Sequence, residues 1–303
     1  MELFYSLLNI KHSSLNINHY FCTMKNNFFL FIIAILLFSS CSRDNILTQN
    51  QWGDIYKKHG IDSACFEMID NTHDQAFIYN LNRCSRRMSP ASTFKVFLSL
   101  VALESNVALD ENLMIPWNKI PTGNPAWEKD MNMREALTVS SEPYYKELAK
   151  KIGTVEIQKW LDTIRYGNKR IGQDVENCWV NDTLLITPDE QVGFMKKLYF
   201  DKLPMSQRSQ RIVRNMLLQE ETTDYKLYFK TGTKMNGNQS LVWLIGFIER
   251  KETLKGVVTK KEETNSRPYF FAMNYETATD SLASREKRIE ILKDILKERQ
   301  ILK

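Results

Sequence analysis

The sequence predicts an α+β protein: an antiparallel sheet built from the N- and C-terminal segments, flanked by helices, with a mostly helical lobe inserted between them. Three observations predict it. Strand-like runs occur early and again after residue 225, the stretch 97–225 carries helical periodicity, and an amphipathic segment over 285–302 closes the chain. Short connections between the late strands favour antiparallel pairing, and strands at both ends around a helical middle imply one sheet made by the two termini.

Taken in order, 65–70 and 76–79 read as strands about the turn Asn71, Thr72, His73 and Asp74. Pro90 precedes a helix over 92–104 whose apolar residues suit burial. Helical patterns follow over 144–152, 155–164 and 188–199, interrupted by loops at 122–125 and 166–179. Strand propensity returns at 226–231, 241–248 is nearly unbroken in apolar character, and 269–274 is a further β run. Residues 250–261 alternate Lys with Glu and Thr, which reads as a solvated loop.

The 303 residues are 43% hydrophobic and 25% charged, which excludes collagenous, disordered and multi-span membrane classes. The net charge of +5 is not gathered into one basic block with interleaved aromatics, so nucleic acid is not an expected partner. The cysteines form no CxxC pair and the chain has only four histidines, so no metal site is expected. His12 and His19 fall early; His59 and His73 read as solvent-facing bystanders, which leaves a hydrolase here without a histidine base.

Ser92 and Lys95 supply another. Three apart on a helix, they share one face, with the serine near the helix N-terminus. Phe94, Val96, Phe97, Leu98 and Leu100 surround the lysine with residues that seek burial, and burial lowers a lysine pKa towards a reactive amine. Such an amine acts as a base directly, or adds carbon dioxide to become a carbamate held by a donor such as an indole N–H. Lys230, Thr231, Gly232 and Thr233 end a strand segment. Lys230 offers a cation, Thr231 a hydroxyl, Gly232 close backbone approach, and the Thr233 N–H a partner to that of Ser92 in an oxyanion hole.

With those residues in view, the chain resembles the class D, oxacillinase-type, serine β-lactamases over nearly all of 60–300. The resemblance rests on Pro90-Ala91-Ser92-Thr93-Phe94-Lys95, Trp127-Glu128-Lys129-Asp130, Tyr166-Gly167-Asn168, Lys230-Thr231-Gly232-Thr233 and Trp243-Leu244-Ile245-Gly246. It implies a hydrolase of small-molecule β-lactams that works through a serine acyl-enzyme. Its base would be an N-carboxylated Lys95, a carbamate derived from carbon dioxide and supported by Trp179. It also implies that Ser140 shuttles a proton and that Arg285 meets the substrate carboxylate. The alternative is a penicillin-sensing or penicillin-binding domain of the same fold, which acylates and deacylates slowly.

One position departs from the pattern. Glu142 stands where the family's Ser-x-Val motif has valine, two residues beyond Ser140, whose bland role would be a helix N-cap. A carboxylate about 4 Å from a carbamate would oppose it by about 4 kcal/mol at an effective dielectric of 20, or about three pKa units. The expectation is a weak, bicarbonate-dependent hydrolase in which Glu142 turns to solvent, takes a proton or pairs with a cation such as Lys230. If removing the glutamate lowers activity instead, it has become the working base.

The front end reads as an address. Residues 1–23 look unlike any signal and precede a plausible start at Met24; Lys25, the apolar run 28–38 and Ser39-Ser40-Cys41 make a lipoprotein-type signal over 24–41. The apolar run is too short to span a bilayer. The expected product is a single catalytic domain, 42–303, exported across a bacterial inner membrane as a periplasmic or membrane-anchored lipoprotein that meets the membrane only through lipid on Cys41. Cys65 and Cys84 flank the predicted hairpin, and a disulfide or two buried thiols suit them equally. Cys41→Ala is expected to abolish incorporation of labelled palmitate in a bacterial host while leaving catalysis unchanged.

Overall fold

The computed structural model describes residues 45–254 and 263–303; the signal segment and Cys41 lie outside the described residues. Asn45–Lys303 forms one unit. Its seven-stranded sheet runs in the order β1 (Ile46–Thr48), β3 (Gln75–Tyr79), β2 (Ala64–Asp70), β9 (Glu263–Thr277), β8 (Gln239–Leu254), β7 (Tyr225–Asn236) and β6 (Leu218–Glu221). Two short strands, β4 (Met114–Ile115) and β5 (Met131–Asn132), pair apart from it. The sheet therefore draws on both ends of the chain, as the sequence predicts. One edge differs: β1 pairs with β3 in parallel. Helix α1 (Trp52–Lys58) and β2 intervene between those strands, and a crossover of that kind brings a strand back in the same direction.

The unbroken apolar run of β8 follows from burial on both faces. Leu241, Trp243, Ile245 and Phe247 point into the core shared with the helical lobe. Val242, Leu244 and Ile248 point the other way, into a second core with α1 and the closing helix α9 (Arg285–Glu298). The strand is longer than predicted: β8 continues through Arg250 to Leu254, pairing with β9 across part of the stretch read as a loop, whose remainder lies outside the described residues.

The lobe contains α3 (Phe94–Glu104), α4 (Met133–Thr138), α5 (Glu142–Ile152), α6 (Thr154–Ile164), α7 (Pro188–Tyr199) and α8 (Gln207–Met216). Ten consecutive residues of α3, Phe94 to Leu103, are buried. That is why the helix shows little amphipathic pattern: it is the axle of the lobe, not a surface element. A short helix α2 (Leu81–Cys84) carries Cys84 against Cys65 and Ile78. Both cysteines are thiols here, and the Cys65 side chain together with burial raises the Cys84 pKa.

His59 is buried, contrary to the solvent-facing role expected of it. Its Nε2 lies 3.0 Å from Asp294 Oδ2, which ties the end of α1 to α9. His73 is half-exposed, with Nδ1 2.7 Å from Asp70 Oδ2.

One carboxyl is buried where α7 crosses β2. Glu67 is only 2% exposed, and burial together with the neighbouring Asp189 pushes its pKa up to about 8. A carboxyl raised in the folded state stabilises the fold while protonated, and that contribution is lost as pH rises from the ordinary carboxylate range through 8. The thermal unfolding temperature is therefore expected to fall in the wild type as pH rises from 4.5 to about 8, and to level off above that. The decline should flatten in Glu67→Gln, which keeps the volume and cannot ionise.

Candidate active site

The chain enters the site through a strained turn. Ala91 takes φ +50° and opens a 3-10 turn, Ala91–Thr93, ahead of α3. A left-handed alanine costs about 1–2 kcal/mol. Its N–H donates to Trp179 O at 2.9 Å, and Thr93 Oγ1 donates to Pro90 O at 2.7 Å, so local hydrogen bonds hold the bend. The bend leaves Ser92 half-buried at the mouth of the lobe, with Lys95 one turn below it and fully buried.

Lys95 Nζ donates to Ser92 Oγ at 2.9 Å, to Ser140 O at 2.7 Å and to Glu142 Oε2 at 3.0 Å. Three acceptors complete an ammonium's donor capacity. Burial lowers the lysine pKa, and the Glu142 charge and hydrogen bond pull it partly back. Ser140 also sits in the left-handed region, at φ +59°, which presents its carbonyl to Lys95 while its hydroxyl accepts from Lys230 Nζ at 2.8 Å. The N-cap of α5 is Ser141, whose Oγ accepts from Tyr144 N–H at 3.4 Å; Ser140 is free of that duty. Burial, then the positive charges of Lys95 and Arg288, drive the Lys230 pKa well below that of a free lysine.

Strand β7 closes the site from the sheet side. A side chain at Gly232 would place a Cβ 3.1 Å from Pro90 O and 3.2 Å from Ser92 N, so only glycine lets the strand backbone pass this close to the nucleophile turn. Thr231 is half-buried and Thr233 exposed beside it.

The arginine of this strand is Arg288, which corrects the expectation placed on Arg285. The Arg285 guanidinium lies over the Phe229 ring at 5.1 Å and donates to Gln219 Oε1 at 2.9 Å. Arg288, one turn further along α9, is 5% exposed and donates to Gly232 O at 3.2 Å and Thr233 Oγ1 at 2.5 Å. A signal for it was present in the sequence. Arg288 shares the spacing of Ile291, Leu292 and Ile295, so it is a charge on the apolar face of an amphipathic helix.

Trp179 is fully buried, its ring tilted against Phe94 with centroids 5.8 Å apart, and its indole Nε1 has no hydrogen-bond partner among the described residues. The other motifs are structural. Trp127 Nε1 donates to Val139 O at 3.0 Å, Glu128 Oε1 accepts from Thr122 and Gly123 N–H at 2.7 and 3.1 Å, and Asn168 Oδ1 accepts from Leu185 N–H at 3.0 Å. Trp243 Nε1 donates to Ser89 O at 3.0 Å, which pins the strand to the segment before Ser92. Among the described residues, no three His, Cys, Asp or Glu side chains gather to hold a metal.

The arrangement pairs a serine hydroxyl with a buried amine, and a second serine with a second buried amine, along one strand edge. Lys95 reaches the Ser92 hydroxyl and the Ser140 carbonyl, and Lys230 reaches the Ser140 hydroxyl. This is the constellation of the penicillin-recognising serine enzymes, and the model of the penicillin-binding protein transpeptidase domain matches residues 54–297. Within that class, the chain is 30% identical over 274 residues to β-lactamase OXA-48 of Klebsiella pneumoniae, covering 90% of this chain and 97% of that relative. It is 34% identical over 202 residues to a probable β-lactamase, YbxI, of Bacillus subtilis, covering 67% and 75%. The crystal structure of FUS-1 (OXA-85), a class D β-lactamase from Fusobacterium nucleatum, superposes with a TM-score of 0.76 at 29% identity, covering 84% of this chain and all of that one. The chain belongs to the class D β-lactamases.

Gly232→Val is expected to force β7 away from the Ser92 turn. The cost should be about 1–3 kcal/mol of stability, measured by denaturant unfolding.

Proposed function

We propose that this protein hydrolyses β-lactams through an acyl-enzyme on Ser92, with Lys95 as the group that takes the serine proton. The observation that carries the reading is the 2.9 Å contact between Lys95 Nζ, in the buried first turn of α3, and Ser92 Oγ just before it. Ser92 Oγ attacks the lactam carbonyl carbon, its proton passes to Lys95, and the backbone N–H groups of Ser92 and Thr233 receive the developing oxyanion. The carbon–nitrogen bond of the lactam then breaks, and the nitrogen is protonated through Ser140 Oγ, to which Lys230 donates at 2.8 Å. Arg288, with Thr231 and Thr233, offers the substrate carboxylate its partners. Lys95, its proton given up to that nitrogen, takes a proton from the water that attacks the ester and returns it to Ser92 Oγ as the ester carbon–oxygen bond breaks.

The form of Lys95 is a finer question. The carbamate implied by the family resemblance has one feature in its favour, the unpartnered indole N–H of Trp179, which would donate to it. The space beside Lys95 Nζ is nonetheless taken by a carboxylate at 3.0 Å, and two anions so placed repel by several kcal/mol even at an effective dielectric of 20. The residues do not fit a carbamate while Glu142 keeps its charge.

Export and lipid attachment at Cys41 belong to the same reading, supported by the sequence alone. Ser92→Ala is expected to give no covalent adduct in intact-mass analysis after penicillin exposure and no turnover. In the wild type the adduct is expected to form and decay within the assay. An adduct that persists marks a sensor or binding protein, and an adduct on the Ala variant moves the nucleophile elsewhere.

A further inference from the structure

Glu142 bridges two environments. Its Oε2 accepts from Lys95 inside the lobe, and its side chain is 23% exposed and lines a cavity of about 640 Å³ with Trp117, Trp127 and Lys146. That cavity is lined by neither Ser92 nor Lys95. Its other oxygen stands 4.0 Å from Lys146 Nζ, one turn along α5. As the first residue of α5, Glu142 also lies at the helix end that favours negative charge. The remaining polar and charged neighbours of Lys95 are Lys230 on β7, Lys146 on α5, Ser92 and Ser140, and the Tyr145 ring at 5.7 Å. Among the described residues, Glu142 is therefore the one anionic side chain against Lys95.

We propose that Glu142 supplies, from the protein's own chain, the carboxylate that a carbon dioxide adduct would otherwise place on Lys95, so that the enzyme works without carboxylation. The inference rests on the hydrolase reading above and assigns Glu142 a positioning role, acting through Lys95. In the resting pair Lys95 is an ammonium and Glu142 a carboxylate. A proton moves from Lys95 Nζ to Glu142 Oε2, leaving an amine and a carboxylic acid with no change in net charge. Burial favours that neutral form. The amine then takes the Ser92 proton as Oγ bonds to the lactam carbon. Lys95, again an ammonium, gives up a proton to the departing nitrogen, and the acid returns its proton to the amine. The serine proton ends on the nitrogen, and the pair is restored.

The expectation from sequence was that a carboxylate here would crowd a carbamate and weaken the enzyme. The structure instead pairs that carboxylate with the lysine itself, which turns an obstacle into a partner.

The test uses the full-length protein and bicarbonate as the probe. Wild-type turnover of a penicillin in buffer freed of carbon dioxide should change by no more than about twofold when bicarbonate is added, and ¹³C-bicarbonate should give no lysine carbamate resonance. Glu142→Val should lose about a hundredfold without bicarbonate, the scale of a general base's contribution. It should recover with bicarbonate and acquire the resonance; Glu142→Asp should keep bicarbonate-independent activity. A wild-type carbamate resonance, wild-type activation by bicarbonate, or a valine variant as active as wild type in its absence would each overturn the proposal. The spectroscopic arm needs no variant and no turnover. If the protein acylates without releasing product, the hydrolase reading fails, while the wild-type resonance still decides the role of Glu142.

Discussion

The structure turns on a charge placed where an apolar side chain would cost nothing. Lys95 is fully buried in the first turn of α3, among ten consecutive buried residues. An isolated ammonium in such a place is worth several kcal/mol of instability, so the surroundings have to answer it. They do so with elements distant in sequence: the turn of Ser92, the left-handed carbonyl of Ser140 between α4 and α5, and the carboxylate that begins α5. Lys230 repeats the problem from the sheet, and Ser140 Oγ is part of its answer. The lobe and the sheet are joined at the point where two buried cations share one serine.

Much of this was legible in the sequence because it follows from pattern and order. Strand-like runs at both ends pointed to the sheet, and the unbroken apolar run of β8 is explained by cores on both faces. Ser92, Lys95 and Lys230 were legible because their spacing relative to secondary structure carries chemistry. The parallel edge strand β1 was not, since its three residues show no periodicity. The end of β8 was missed for the opposite reason: Lys and Glu tolerate an exposed hairpin strand as readily as a loop, and only pairing with β9 decides between them.

The misses at the site have a common physical cause. Arg285 and Arg288 are three residues apart, and the helical phase of α9 decides which of them faces β7. His59 was read as a solvent-facing bystander, whereas its partner Asp294 lies near the other end of the chain. Glu142 was expected to need an escape route because the lysine was pictured with a carbamate already in place. Tertiary pairing settles each of these, and local composition carries no trace of it.

Strand β6 pairs with β7 only as far as Tyr228, with one further bond from Phe229 N–H to Leu217 O. Past that point, among the described residues, the rim of β7 from Lys230 to Asn236 has no neighbouring strand on the side that turns towards Ser92, and Gly232 keeps side-chain bulk off the rim. The sheet is thus left one strand short beside its nucleophile. An amide laid along that rim in extended form would find a row of backbone donors and acceptors at the spacing of its own, and would be read as continuing chain. The fold holds its reactive serine at the place where its own architecture is unfinished.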